Sequence, residues 1–173
     1  MFRLASLTAI AAAAFISACA STAPSGPKAS ATLEPTRGNT AVGTVSFEQH
    51  GDAVRVTANI TGLKPNQEHG FHAHEKGDCS SGDGMSTAGH FNPNGKAHGK
   101  PDAEHHAGDM PALKSDANGN ASASFELKGV SVGSGTTDLV GRGLIVHAAA
   151  DDYTTQPTGN SGARIACGVI KLN

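Results

Sequence analysis

Two histidines stand one residue apart in the stretch Phe71-His72-Ala73-His74, directly before a turn and a cysteine. Side chains of an extended strand alternate between its two faces, so His72 and His74 share one face while Phe71 and Ala73 share the other. The apolar pair can then enter a core while both imidazoles point away from it together. Two polar residues on the solvent face of a strand would give the same pattern. This motif alone therefore does not distinguish a metal site from a polar surface, and further ligand residues elsewhere in the chain are needed.

Four more of the nine histidines lie in short motifs rich in Gly, Asn or Asp. These motifs are GHFNP with His90, AHGKP with His98, HHAGD with His106 and Asp109, and IVHAAADD with His147. Neutral imidazole binds copper and zinc, and a carboxylate can complete a tetrahedral zinc site. A single such histidine would be interpreted as a surface residue. Six of them, beside loops that lack a core of their own, favour metal binding.

The elements that must position these residues are strands. Apolar and polar residues alternate over 44–48, 53–60 and 121–127, with turn signals at QHGD and Asn-Gly between them. GLIVHA and ARIACGVIKL predict two late strands. The 22 glycines, 8 prolines and 4% aromatic residues favour short strands and turns over helices. The pattern predicts an antiparallel sandwich or barrel.

Two segments, Glu75–Met110 and Asp151–Gly162, carry no strand signal. A loop of the first length is uncommon in a compact domain unless it is functional or pinned, because ordering it costs conformational entropy. The candidate pins are a disulfide at Cys79 and metal ions held by the histidines.

The first residues predict export. Met1–Arg3 supplies a positive start, and the mostly apolar run Leu4–Ala18 is short for a membrane span but typical of a signal-peptide core. The run ends in ISAC, which resembles a bacterial lipobox. We therefore expect residues 1–18 to be a signal peptide and Cys19 to be lipidated, with an ordinary secretory signal cleaved nearby as the alternative.

Residues 19–38 are predicted to be a lipidated N-terminus and flexible tether, since they are rich in Ala, Ser, Thr and Pro without an apolar period. The folded domain is then 39–173. If Cys19 carries lipid, Cys79 and Cys167 remain as an even pair that can form a disulfide in an oxidising compartment. The formal net charge of -2 indicates no basic surface for nucleic acid.

The motifs GFHAHEKGDC, GHFNP, HHAGDMPAL, VHAAADD and GNSGARIACGVI occur in the order found in copper, zinc superoxide dismutases, and the chain resembles the bacterial periplasmic branch of that family over residues 41–173. The resemblance implies an all-β fold, an antiparallel Greek-key barrel or sandwich of about eight strands with two long functional loops. It implies one copper and one zinc ion per subunit. It also implies dismutation of superoxide to dioxygen and hydrogen peroxide by a redox-cycling copper, bridged through a histidine to a structural zinc, which protects the cell envelope.

The resemblance also assigns roles to residues. The implied copper ligands are His72, His74, His90 and His147. The implied zinc ligands are His90, His98, His106 and Asp109, with His90 bridging the two ions. The implied catalytic residues are Arg164, beside the copper, and His90. The remaining assignments are Asp151 as the carboxylate that links His72 to His98, and Cys79 with Cys167 as the disulfide that ties the long loop to the last strand.

The HH pair offers two candidates, His105 and His106, for one zinc ligand. The family spacing His-x-Gly-Asp selects His106 over His105, which we expect to be exposed. His50 and His69 have no motif role and are interpreted as ordinary polar residues. Two other classes of protein would also use part of this set. A copper storage or delivery protein would need no arginine beside the metal, and a lipoprotein stabilised only by zinc would need neither residue of the His-x-His pair.

The expected substrate is the superoxide anion, and the expected membrane contact is the N-terminal lipid alone. The sequence leaves monomer and homodimer open. We expect the periplasmic side of the bacterial cell envelope, with the lipid in the outer membrane, because Ala20 after Cys19 is not the aspartate associated with inner-membrane retention.

Overall fold

The computed structural model describes residues 25–173; the predicted signal peptide and Cys19 lie outside this range. Ten strands account for its regular structure: β1 Ser25–Pro35, β2 Val42–His50, β3 Ala53–Thr61, β4 Glu68–His69, β5 Phe71–His74, β6 Leu113–Lys114, β7 Ala121–Lys128, β8 Gly143–His147, β9 Arg164–Val169 and β10 Lys171–Leu172. Within this range the only helix is one 3₁₀ turn, Met85–Thr87. No helix there is both long and apolar enough to cross a membrane.

Eight strands form one antiparallel sheet in the order β5-β8-β9-β1-β2-β3-β7, with β10 pairing beside β1. The chain leaves β3, forms β5 at the far edge and returns as β7 beside β3, which is a Greek-key connection. The short β4–β6 pair joins the chain just before β5 to the chain just before β7, so the sheet curls towards closure. The prediction of an all-β antiparallel fold is confirmed.

The alternation seen in the sequence forms the core. Val54, Val56 and Ile60 of β3 are buried, while Arg55 and Asn59 between them are exposed. The equivalent residues of the neighbouring strands pack against them in one hydrophobic cluster inside the curled sheet. The curled sheet is therefore a close-packed frame, to which the first long loop contributes Phe91 and Met110.

The prediction of a flexible tether is wrong for residues 25–35. They form β1, which pairs with β2 and, at Glu34 and Pro35, with β9. Ala29, Ala31 and Leu33 are buried and alternate with exposed residues. Alanine contributes little to an apolar signal, so the composition hid a period-two strand whose pairing on both sides stabilises it. The folded domain extends at least to residue 25 rather than beginning at 39.

The two long loops are confirmed. Within Glu75–Met110 the backbone forms only the 3₁₀ turn and isolated bridges, and Asp151–Gly162 contains no strand. The disulfide between Cys79 and Cys167 is also confirmed, with 5.9 Å between Cα atoms, and it ties the first loop to β9. That loop runs along the free edge of β5, which positions the residues described next.

Candidate metal centre

The His-x-His pair stands on β5, as its spacing predicts. Phe71 and Ala73 enter the hydrophobic core, and His72 and His74 point to the other face. That face is not solvent-exposed: both histidines are fully buried, because the loop covers them through bridges from His90 and Asp109. A histidine pair on a bare strand would be a polar surface, whereas this one is enclosed.

Two groups of buried side chains converge on this face, and they share one histidine. The strand group is His72, His74, His90 and His147. The loop group is His90, His98, His106 and Asp109. In each group one ligand atom per residue lies within 4.8 Å of all the others. The structure thus brings together all seven residues predicted as metal ligands.

Hydrogen bonds fix the tautomers of the strand group. His72 Nε2 lies 2.6 Å from Asp151 Oδ2, His74 Nδ1 lies 2.9 Å from the Ala88 carbonyl, and His147 Nδ1 lies 3.2 Å from the Gly162 carbonyl. These oxygens only accept, so in each neutral ring the outer nitrogen donates its proton. The other nitrogen, aimed into the group, then carries a free lone pair, as a metal ligand requires.

Asp109 organises the loop group. Its Oδ2 accepts the backbone N–H of His106 at 3.0 Å and of Gly99 at 3.2 Å, and its Oδ1 lies 2.8 Å from His90 Nδ1. The Nδ1 atoms of His98 and His106 lie 3.0 and 3.5 Å from its carboxylate oxygens. Ligand atoms around a tetrahedral zinc ion are about 3.3 Å apart when each bond is about 2.0 Å. The loop group therefore has the size and donor set of a zinc site.

The two groups differ in electrostatics. Burial lowers the pKa of His72 to about 4, against the opposing effect of Asp151, and lowers the pKa of His147 to about 3. Burial also holds the pKa of His74 well below its ordinary value. In the loop group burial opposes charge, but the carboxylates of Asp109 and Asp151 outweigh it and raise the pKa of His98 to about 9. Burial therefore favours the neutral form of His72, His74 and His147 on the strands, whereas the two carboxylates favour the charged form of His98 in the loop.

Asp151 links the groups from outside. Its Oδ2 accepts from His72 and its Oδ1 lies 2.9 Å from His98 Nε2, and its carboxylate is fully buried. One carboxylate therefore orients a ring of each group, as predicted for this residue.

Arg164 stands in β9 directly opposite His147. Its guanidinium donates to the carbonyls of Gly84 and Ala88, both at 2.7 Å, and to the Thr87 hydroxyl at 2.9 Å. The Ala88 carbonyl also accepts from His74, so a single loop carbonyl holds the arginine and a ring of the strand group. The side chain remains partly exposed, which leaves a fixed positive charge accessible at the edge of the strand group.

The unpartnered atoms test whether metal ions fit. Within residues 25–173, six buried ring nitrogens of the two groups have no hydrogen-bond partner: His72 Nδ1, His74 Nε2, His90 Nε2, His98 Nδ1, His106 Nδ1 and His147 Nε2. Each buried unsatisfied polar atom costs about 1–3 kcal/mol. Their convergence on two points is explained by a cation at each, so the residues fit two metal ions.

The interpretation of His69 as an ordinary polar residue is wrong. It is fully buried, and its Nδ1 donates to the His147 carbonyl at 2.8 Å, behind the strand group. Alternation counted back from Phe71 puts His69 on the core side, which could have marked it. Gln156, which contacts His98 through two hydrogen bonds, has no such signal in the sequence. His105 is partly exposed and faces the His106 carbonyl.

Comparison with known proteins agrees with this geometry. A family model described as copper/zinc superoxide dismutase (SODC) matches residues 41–170. The superoxide dismutase [Cu-Zn] of Paramecium bursaria Chlorella virus 1 is 42% identical over 135 residues, which are 74% of this chain and 71% of the viral protein. The crystal structure of the clock protein EA4 superposes with a TM-score of 0.77 at 40% identity, covering 85% of this chain and 96% of that one. With its two histidine-rich groups suited to copper and zinc, this chain belongs to the copper/zinc superoxide dismutase family.

Proposed function

We propose that this protein dismutates superoxide to dioxygen and hydrogen peroxide, with copper in the strand group and zinc in the loop group. The observation that carries the proposal is the sharing of His90. Its Nε2 is unpartnered and faces the strand group, while its Nδ1 lies in the loop group beside Asp109. A single imidazole with one nitrogen in each group is suited to bridge two different ions.

Bound copper supplies one-electron oxidation and reduction, and bound zinc supplies a fixed positive charge. Side chains of the protein bind the anion, transfer protons and orient the metal ligands. The partly exposed guanidinium of Arg164 attracts and orients a small anion beside the strand group. His90 Nε2 would take up a proton in one half of the cycle and donate it to the nascent peroxide in the other, with the second proton supplied by solvent, while Nδ1 stays in the loop group. Asp151 holds His72 in one tautomer throughout.

A copper storage protein is the competing function. Storage needs the strand group but not a fixed cation beside it. Three hydrogen bonds hold Arg164 against the loop that carries Ala88, and the same carbonyl fixes His74. This connection between the arginine and the metal-facing ring favours turnover of an anion over storage.

The test is to measure copper and zinc content and superoxide decay on the same folded sample. We expect one copper and one zinc ion per chain, and activity that is lost when copper is removed and restored when it is added. Stoichiometric copper and zinc without faster superoxide decay would support storage and contradict the enzyme.

We further propose that the protein is a lipoprotein on the periplasmic side of the bacterial envelope, anchored in the outer membrane, where it protects the envelope from superoxide. The ISAC sequence supports lipid on Cys19. The disulfide is suited to an oxidising compartment. Cys19→Ser should abolish labelling by a radioactive fatty acid while the metal content stays the same. Labelling that persists in the variant would contradict the anchor.

A further inference from the structure

Three of the four members of the loop group are held from β5. His90 bridges to His74, and Asp109 bridges to His72. Two hydrogen bonds hold His106 against Asp109: the His106 N–H donates to the Asp109 carboxylate, and the Asp109 N–H donates to the His106 carbonyl. The sheet therefore positions these three residues, His90 and Asp109 directly and His106 through Asp109. His98 makes no such bridge among the described residues, and besides Asp109, which lies beside its ring and accepts the N–H of Gly99, a further element holds it.

That element is the second long loop. The backbone N–H of His98 donates to Gln156 Oε1 at 2.8 Å, and Gln156 Nε2 donates back to the His98 carbonyl at 2.9 Å. One carboxamide therefore satisfies both backbone polar groups of this histidine. A buried segment without a ladder must find such partners elsewhere, and here they come from 58 residues further along the chain.

The same loop also holds the ring of His98. Asp151 Oδ1 lies 2.9 Å from its Nε2. The Tyr153 ring lies parallel to it, with 6.3 Å between centroids and 6° between planes. Tyr153 is fixed in turn, because its N–H donates to Asp151 Oδ1 at 2.7 Å and its hydroxyl accepts from Ala112 N–H at 2.9 Å. The segment 151–156 thus contacts both the backbone and the ring.

We propose that Gln156 is a positioning residue for zinc: it fixes the His98 backbone so that Nδ1 points into the loop group, and it thereby sets the zinc affinity. This inference rests on the proposed zinc site. It differs from the role of Asp151, because Gln156 touches neither the ring nor a ligand atom. Its effect should appear in zinc binding and leave the strand group unchanged, since His72, His74 and His147 lie on β5 and β8 and His90 bridges to β5.

Gln49 offers a matched control. Its carboxamide also joins two separate segments through the backbone, since Oε1 accepts Val132 N–H at 2.9 Å and Nε2 donates to the Ala53 carbonyl at 3.1 Å. It lies on β2 and contacts neither metal group. Gln49→Leu and Gln156→Leu therefore delete equivalent hydrogen bonds, but only the second deletes them beside a proposed ligand.

The experiment uses the full chain with its disulfide intact and its metal ions removed. Zinc affinity is measured by competition with a chromophoric chelator, and the geometry of the loop group by the visible absorption of Co²⁺ bound in place of zinc. Gln156→Leu should weaken zinc binding about tenfold and change the cobalt spectrum, since loss of an outer partner typically costs 10–100-fold. Gln49→Leu should leave the zinc affinity and the spectrum as in the wild type. Both variants should have a melting temperature no higher than that of the wild type, since each loses the hydrogen bonds of one carboxamide.

Zinc affinity and a cobalt spectrum that are unchanged in Gln156→Leu would overturn the proposal. So would equal losses in Gln156→Leu and Gln49→Leu, because these would indicate general destabilisation. If Gln156→Leu does not fold, Gln156→Glu keeps an oxygen that accepts from the His98 N–H but places a second oxygen where the amide donated to the His98 carbonyl, so the zinc affinity and the cobalt spectrum should still differ from those of the wild type. A wild-type chain that binds no zinc would contradict the proposed function itself, before any variant is compared.

Discussion

His72, His74 and His147 stand on strands, whereas His98, His106 and Asp109 stand in a loop. The first three rings are fixed by the sheet and by single acceptors, and burial keeps them neutral. The loop residues are arranged around a carboxylate, and the carboxylates of Asp109 and Asp151 favour a proton on His98. The two halves of the centre thus differ in their support: the sheet holds the rings of the strand half, whereas carboxylates arrange the residues of the loop half.

The strongest test of this difference is His74→Ala. It removes one ring from the strand group, so superoxide decay should fall by about a thousandfold or more, on the scale of losing a residue essential to catalysis, while zinc content and fold remain. Copper content and decay kinetics measure the first effect, and circular dichroism the second. His50→Ala, a histidine of β2 outside both groups, is the control. Loss of zinc together with copper would show that the halves do not assemble independently.

Reduction of the disulfide should act on the loop half. The bond closes a loop across 88 residues, and chain entropy then predicts that reduction lowers the free energy of unfolding by about 4.6 kcal/mol. Denaturant unfolding with and without a reductant measures this. Reduced protein should release zinc before copper, because Cys79 lies in the loop that carries the loop group. Simultaneous release of both ions would contradict the expectation that the disulfide supports the loop half more than the strand half.

Asp109→Ala should cut zinc affinity by more than the roughly 10–100-fold expected for an outer partner, because a proposed ligand is lost. Copper binding by the strand group should persist. Asp102→Ala, an exposed carboxylate in the same loop, should change neither. The measurement is metal content after dialysis against a limiting concentration of zinc. Unchanged zinc would remove Asp109 from the site.

Arg164→Ala should keep copper and slow turnover by about 10–100-fold, the range expected when a group that supports the metal site is lost. It should also reduce inhibition by small anions such as azide. Arg164→Lys keeps the charge without the planar donor array, and should retain part of the activity. Full activity in both variants would leave the arginine without a role in anion capture.

The smallest expected effect is a difference between zinc and copper in how their affinities depend on pH. The pKa of His98 is raised to about 9, so zinc must displace a proton below that pH, and its affinity should fall about tenfold per unit as pH decreases from 8 to 6. Burial lowers the pKa values of His72 and His147 to about 4 and about 3, so these rings do not compete with a proton for copper over that range, and copper affinity should depend on pH less steeply than zinc affinity. Chelator competition at a series of pH values measures both slopes. Parallel slopes would contradict the electrostatic difference.

Most of the strands could be predicted from the sequence, because period-two alternation is a local signal. The residues of both groups could be predicted from the short motifs and their order in the chain. Strand β1 was missed, since Ala29 and Ala31 are weak apolar markers beside many Ser and Thr residues. His69 and Gln156 were also missed. Their roles depend on hydrogen bonds to His147 and His98, residues that are distant in the chain and approach only once the sheet and loops have folded.

The course of β1 constrains how an anchored molecule would stand. If Cys19 carries the lipid, as proposed, Ser25 follows it by six positions, a reach of at most about 20 Å. The strand begins opposite His50 and ends at Pro35, next to the residue whose hydroxyl donates to the Arg164 carbonyl. At about 3.3 Å per residue, the 11 residues of β1 separate its anchored end from its Arg164 end by roughly 33 Å. The membrane would hold the far end of the molecule and leave Arg164 facing the open periplasm.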